Sequence, residues 1–187
     1  RISWRWSADQ RQLILAQLQQ QSLSHWGRDL IVWPEAAVPA TAQRVASFLS
    51  AMNDRAAASG SALITGIPTR DNQGFHNSVL ALGSASGQYD KTRLVPFGEY
   101  VPLQGLLRGA IAFFDLPMSN FSLGARYQPP LQVGERRLAV AICYEVVYPD
   151  LVARITADAS MLLTVSNDAW FGDSLALPQH LQMAQMR

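Results

Sequence analysis

Four short apolar runs constrain this chain more than anything else in it: "DLIVWPE" (29–35), "SALITGIPT" (61–69), "LAVAIC" (138–143) and "SMLLTV" (160–165). Each is too short for an amphipathic helix. Each falls far below the ~20 apolar residues that cross a bilayer. Rich in Val, Ile and Leu and bounded by Pro, Gly or Ser, they read as buried strands. Helical signals lie between them. The capping box Ser7-Ala8-Asp9-Gln10 predicts a helix from about Ser7 to about Trp26. Val45, Phe48, Leu49 and Met52 fall at helical spacing, with Gly60 as a stop. "YPDLVARITA" (148–157) carries Pro149 in its first turn, and "LPQHLQMAQMR" (177–187) reads as a last helix.

The middle of the chain differs. "HNSVLAL" (76–82) and "GQYDK" (87–91) read as strands joined by the Gly/Ser turn 83–87. A long loop follows from about Thr92, with a helical piece near 103–114. "PPLQV" (129–133) pairs with the run ending at Cys143 through Gly134-Glu135. Strand–helix alternation at both ends, with hairpins between, predicts a layered α/β domain with a mixed sheet.

Composition narrows the function. With 187 residues, 49% of them hydrophobic, the chain suits one domain with a sizeable core. Charged residues make up 16%, against a typical quarter, so part of the surface is expected to be apolar. The net charge is +1 and no Lys/Arg cluster occurs, which argues against a nucleic-acid partner. One cysteine forms no internal disulfide, so the redox compartment is not readable. The chain opens RISWRW, without a signal-like apolar region, and stops at Arg187 inside a predicted helix. It reads as a piece of something longer.

Polar residues then point to chemistry by where they fall. Glu35 follows the first strand, Lys91 closes "GQYD", Cys143 closes "LAVAI", and Ser166-Asn167-Asp168 follows "LLTV". Carboxyl ends of strands are where open α/β sheets put ligand sites. Singly, each residue has a plain structural reading: the cysteine as a small core filler, the glutamate as a turn residue, the lysine as a solvated one. Together they could run covalent catalysis. A free thiol is a poor nucleophile near neutral pH, so it needs a base. None of His25, His76 and His180 stands in a recognisable cysteine-partner context. Glu35 could instead take the thiol proton, Lys91 could favour the thiolate and steady an oxyanion, and the backbone N–H of Tyr144 could be a second oxyanion donor. The Gly-x-Ser-x-Gly, P-loop, His-Glu-x-x-His and Cys-x-x-Cys patterns are missing.

The order of "WPE" (33–35), "YDKTRLVPFGEYVP" (89–102), "CYE" (143–145) and "SNDAWFG" (166–172) resembles the nitrilase, or carbon-nitrogen hydrolase, superfamily. The longer pattern, with "FFDLPMSNFSLG" (113–124) and the final Gln-His, is similar to the catalytic domain of the bacterial apolipoprotein N-acyltransferases, from about Trp6 to Arg187. The resemblance implies an αββα sandwich with mixed sheets, here an incomplete domain spanning residues 1–187 without the family's transmembrane segments and C-terminal part. It implies Glu35 as base, Lys91 as the lysine and Cys143 as nucleophile. Glu99 would support the site, and Tyr144 and Glu145 would shape the nucleophile's surroundings. It implies transfer of an acyl chain from a phospholipid donor, by way of a thioester, to the α-amino group of a diacylglyceryl-lipoprotein. The setting would be the periplasmic side of the bacterial inner membrane. No cofactor and no metal are expected.

One feature read from the residues alone agrees. Leu94 to Met118 holds three charged residues, Glu99, Arg108 and Asp115, among many large apolar ones. So apolar a loop is expected to pack on the core or to face lipid. Phe97, Leu106, Phe113 and Phe114, with Trp6 and Trp170, are the candidate lid or entrance residues. Two alternatives stay open: a soluble amidase or carbamoylase of the same superfamily, and a scaffold that has lost catalysis.

Overall fold

The computed structural model describes residues 8–96, 99–100, 121–172 and 174–187, with the side chains of Trp170 and Phe171 excepted. The first helix, α1, covers Ala8–Ser22 and tightens into a 3-10 turn over Leu23–His25. Then come β1 (Leu30–Val32), α2 (Ala46–Ser59), β2 (Ala62–Arg70) and β3 (Phe75–Gly83). They are followed by β4 (Ala85–Ser86), β5 (Gln88–Asp90), β6 (Leu131–Val133) and β7 (Arg136–Ile142). The chain closes with α3 (Pro149–Thr156), β8 (Met161–Val165) and α4 (Ala176–Gln185). Gly60 ends α2 in the left-handed conformation, φ +71°, as the sequence suggests.

The strands form two sheets, in the orders β1-β2-β3-β5 and β4-β6-β7-β8. Each sheet has one parallel pair, β1 with β2 and β7 with β8, and is otherwise antiparallel. The mixed-sheet expectation therefore holds, with two sheets rather than one. The stretch 83–87 differs from its reading as a turn. It contains β4, which leaves the first sheet and pairs Ala85 with Val133 in the second. A two-residue strand has too little length to show a periodicity.

Alternation along β2 assigns the layers. Leu63 and Ile67 face the helices and pack with Leu49, Met52 and Ala56 of α2 and with Trp33. Ala62 and Ile64 face the other way, toward Val79, Tyr89, Leu138, Val140 and Ile142, the apolar filling between the sheets. Along β7 the intervening Ala139 and Ala141 are buried on the opposite face, where α3 packs with its buried Leu151 and Val152. Helices, sheet, sheet, helices: the architecture is an αββα sandwich. No helix among the described residues is long and apolar enough to cross a membrane.

Candidate active site

Three local devices bring the strand ends into register. The first sets Glu35. Trp33 is buried; its indole N–H donates to Ser22 Oγ at 3.0 Å and its ring stacks on Phe48. Pro34 then stops the strand, and Ala36 turns the chain at φ +47°. This turn lies directly on Gly66 of β2, where a Cβ would collide with the Pro34 carbonyl, the Glu35 Cα and the Ala36 nitrogen. Only glycine lets the Glu35 backbone come so close.

The second device sets Lys91. Its N–H donates to the Asn77 carbonyl at 2.8 Å, and its own carbonyl accepts from Gly124 N–H at 2.8 Å. The side chain is 1% exposed. Its Nζ lies 2.9 Å from Glu99 and 3.4 Å from Glu35 Oε1. Asn77, in mid-β3, spends both amide hydrogens on the same two carboxylates, reaching Glu35 Oε1 and Glu99 Oε1 at 2.7 Å each. Glu99 is itself held by Val95 N–H at 2.9 Å, and Glu35 Oε2 accepts from Asn167 N–H at 3.0 Å. Burial alone would push the Lys91 ammonium down. Glu35, Glu99 and Cys143 overcome that and hold it above its ordinary value.

The third device sets Cys143. The residue opens a 3-10 turn, Cys143–Val147, at the end of β7 and adopts φ +53°, a strained conformation for a side chain with a Cβ. Glu145, wholly buried, braces this elbow. Its Oε2 accepts from Ile142 N–H at 2.9 Å. Its Oε1 accepts from Thr92 N–H at 2.7 Å, Thr92 Oγ1 at 2.9 Å and Arg93 N–H at 3.0 Å, and the Tyr89 hydroxyl reaches both oxygens at 3.1 Å. Burial raises the Glu145 carboxyl even against these donors, and raises the Tyr89 hydroxyl likewise. Glu145 thus ties the turn that opens at Cys143 to the loop that follows Lys91.

The Cys143 thiol is half-buried and free. Burial pushes it up to about 11, with Glu35 adding to the rise, while Lys91, the Ser166 hydroxyl and the Tyr144 N–H favour the thiolate. At neutral pH the sulfur therefore rests protonated beside a carboxylate and an ammonium. That is a site in which proton removal must accompany attack.

Glu35, Lys91, Glu99 and Cys143 lie together, while Glu145 sits behind Cys143 as a brace and Tyr144 is 43% exposed. Trp6, Phe97, Leu106, Phe113 and Phe114 lie outside the described residues, and Trp170 is placed only by its backbone, in the turn Asp168–Phe171. Sequence reasoning missed Asn77, whose signal was a polar residue on the same β3 face as buried Val79. It also passed over His180, which reaches the Cys143 carbonyl.

A mixed αββα sandwich that gathers a glutamate, a lysine and a cysteine at its strand ends defines a class. The chain belongs to the carbon-nitrogen hydrolase family, whose sequence model matches residues 2–187. Solved structures show the same fold. They include an amidase of the nitrilase superfamily from Nesterenkonia AN1 (TM-score 0.58, 21% identity, covering 91% of this chain and 66% of that one). Another is a CN-hydrolase superfamily protein of Xanthomonas campestris with an arsenic adduct in its active site (TM-score 0.62, 18% identity, 91% and 64% covered). Within the family, the chain is similar to apolipoprotein N-acyltransferases. It is 54% identical to that of Pseudomonas syringae pv. tomato over 85% of this chain and 32% of the relative. It is 48% identical to that of Pseudomonas aeruginosa over 98% of this chain and 37% of the relative. The chain thus spans about a third of the length of these enzymes.

Proposed function

We propose that this chain is the catalytic part of an N-acyltransferase that moves a phospholipid acyl chain to the α-amino group of a diacylglyceryl-lipoprotein. The observation that carries the reading is Lys91, buried between Glu35 and Glu99 beside Cys143, in a chain about half identical to acyltransferases over nearly its whole length. In the first half-reaction Glu35 takes the Sγ proton as sulfur attacks the ester carbonyl carbon. The oxyanion that forms is met by Lys91 Nζ and the Tyr144 N–H. Its collapse breaks the ester C–O bond, Glu35 returns the proton to the leaving oxygen, and a lysophospholipid departs from a Cys143 thioester. In the second half the lipoprotein amine attacks the thioester, gives its proton to Glu35, and the sulfur leaves and is reprotonated. The setting of this reading is the periplasmic side of the inner membrane. The apolar segment 94–118, with Phe113 and Phe114, serves as the lid, and Phe113→Ser with Phe114→Ser should weaken lipid use without unfolding the protein.

Intact-mass measurement of the full-length protein mixed with phospholipid tests the reading. One acyl adduct is expected, absent in Cys143→Ala and discharged by a lipopeptide amine faster than by water. No adduct across several lipids, or faster discharge by water, would overturn acyl transfer in favour of a scaffold or a hydrolase.

A further inference from the structure

We infer that His180 is a positioning residue for the oxyanion-binding N–H of Tyr144, acting on it through the peptide plane that joins Cys143 to Tyr144. The inference rests on the thioester chemistry proposed above and adds a residue to it.

His180 lies on α4 and is 8% exposed. Its Nε2 is 3.2 Å from the Cys143 carbonyl oxygen, and its Nδ1 is 3.1 Å from both oxygens of Asp168. A carbonyl has no hydrogen to give, so Nε2 carries the hydrogen in this contact. Asp168 fixes the ring from the other side, and its Oδ1 also accepts from the Ser166 hydroxyl at 2.5 Å. Just past the end of α4, Arg187 grips the far end of the turn: its Nε and Nη2 donate to the Val146 and Val147 carbonyls at 3.1 and 3.0 Å. So the turn is held at one end by His180 of α4, at the other by Arg187 beyond it, and from within by Glu145.

The consequence follows from peptide geometry. A trans peptide is planar, and its C=O and N–H point in opposite directions. Whatever fixes the Cys143 oxygen therefore also fixes the Tyr144 hydrogen, aiming it away from His180 and toward the side where Sγ lies. This matters because Cys143 sits at φ +53°, where a residue with a Cβ is strained and the following peptide has an incentive to rotate. Rotation would withdraw the N–H and swing a carbonyl dipole toward the developing negative charge. Donation from His180 into the carbonyl also polarises the peptide and strengthens its N–H as a donor.

The test uses the full-length protein with a phospholipid donor, and compares His180→Met with His180→Gln, two side chains of similar shape that differ in an amide donor. Single-turnover acylation of Cys143 is read by intact mass across donor concentrations. Alkylation by iodoacetamide, which needs sulfur but no oxyanion donor, is read in parallel. We expect His180→Met to acylate about 100-fold more slowly, the range seen when one oxyanion donor is lost. Donor KM should stay within about twofold and alkylation within a few-fold, because the loss is confined to the transition state. His180→Gln should regain at least about tenfold of the acylation lost. Equal acylation in the two variants, or acylation and alkylation falling together, would overturn the inference. If His180→Met does not fold, His180→Gln decides: a rate within about tenfold of the parent supports the inference, and a loss beyond about 100-fold overturns it. A parent protein that forms no adduct would instead remove the thioester reading, and this inference with it.

Discussion

Replacing Lys91 with Met isolates the electrostatics of the site. The substitution removes the ammonium with its donors and leaves an apolar side chain one heavy atom shorter. In the parent, one ammonium lies 2.9 Å from Glu99 and 3.4 Å from Glu35, and is 1% exposed. At an effective dielectric of about 20, each contact is worth roughly 5 kcal/mol of Coulomb energy, offset by the several kcal/mol of desolvating the ions. The cost of removing one partner is larger than the net worth of the pair, because two buried carboxylates then face each other across Asn77 with neutral donors and no cation between them. We expect Lys91→Met to lose about 3–5 kcal/mol of stability at pH 8. In a domain of this size that is about 6–20 °C of unfolding temperature. The Lys91 value is raised on folding, so its stabilisation is fully present at pH 8 and fades only as pH climbs past the ordinary lysine range toward the elevated folded value. The double variant Lys91→Met, Glu99→Gln removes one of the two anions. It should regain at least about 2 kcal/mol while still failing to acylate. The assay is thermal unfolding of the full-length protein at pH 8, followed by tryptophan fluorescence. A Lys91→Met protein within about 1 kcal/mol of the parent, or a double variant no more stable than Lys91→Met alone, would refute the reasoning.

Four other outcomes follow from the geometry. Iodoacetamide should alkylate Cys143 with a pH midpoint of about 11. Glu35→Gln, which removes the anion, should lower that midpoint and Lys91→Met should raise it, so a parent rate already level at pH 8 would contradict the burial of the thiol. Gly66→Ala should cost several kcal/mol and displace Glu35, because the added Cβ meets backbone that has nowhere to go; calorimetry and adduct formation should fall together. Glu145→Gln should destabilise by about 2–4 kcal/mol, since an amide nitrogen must then face an N–H donor in a sealed site. The exposed Glu135→Gln should change the unfolding temperature by less than about 2 °C.

What was legible in the sequence was whatever a single strand advertises alone. Four apolar runs and their flanking breakers placed β1, β2, β7 and β8, and the ends of three of them pointed to Glu35, Cys143 and Asn167. Lys91 was legible for the same reason, at the end of β5. What escaped depends on pairing across distance. Nothing local marks β4 as a member of the second sheet, because its identity lies in its partner Val133. Nothing local distinguishes Asn77 from any strand asparagine until Glu35 and Glu99 arrive on either side of its amide. Glu145 had been expected to help shape the nucleophile's surroundings. Its work as a tie to Thr92 and Arg93, more than fifty residues earlier, needed the two sheets to be face to face. His180 belongs with these, since its partner is a main-chain carbonyl, which no side-chain pattern can announce.

The two sheets supply different halves of the chemistry. Glu35 and Lys91 leave one sheet, Cys143 and Asn167 leave the other, and the Asn167–Glu35 bond spans the gap. Before the halves dock, a nascent chain carries an ordinary thiol with no neighbouring base or cation to recruit a carbonyl. On the function proposed above, capture of an acyl group therefore needs both sheets docked, because only then do base and cation meet the thiol.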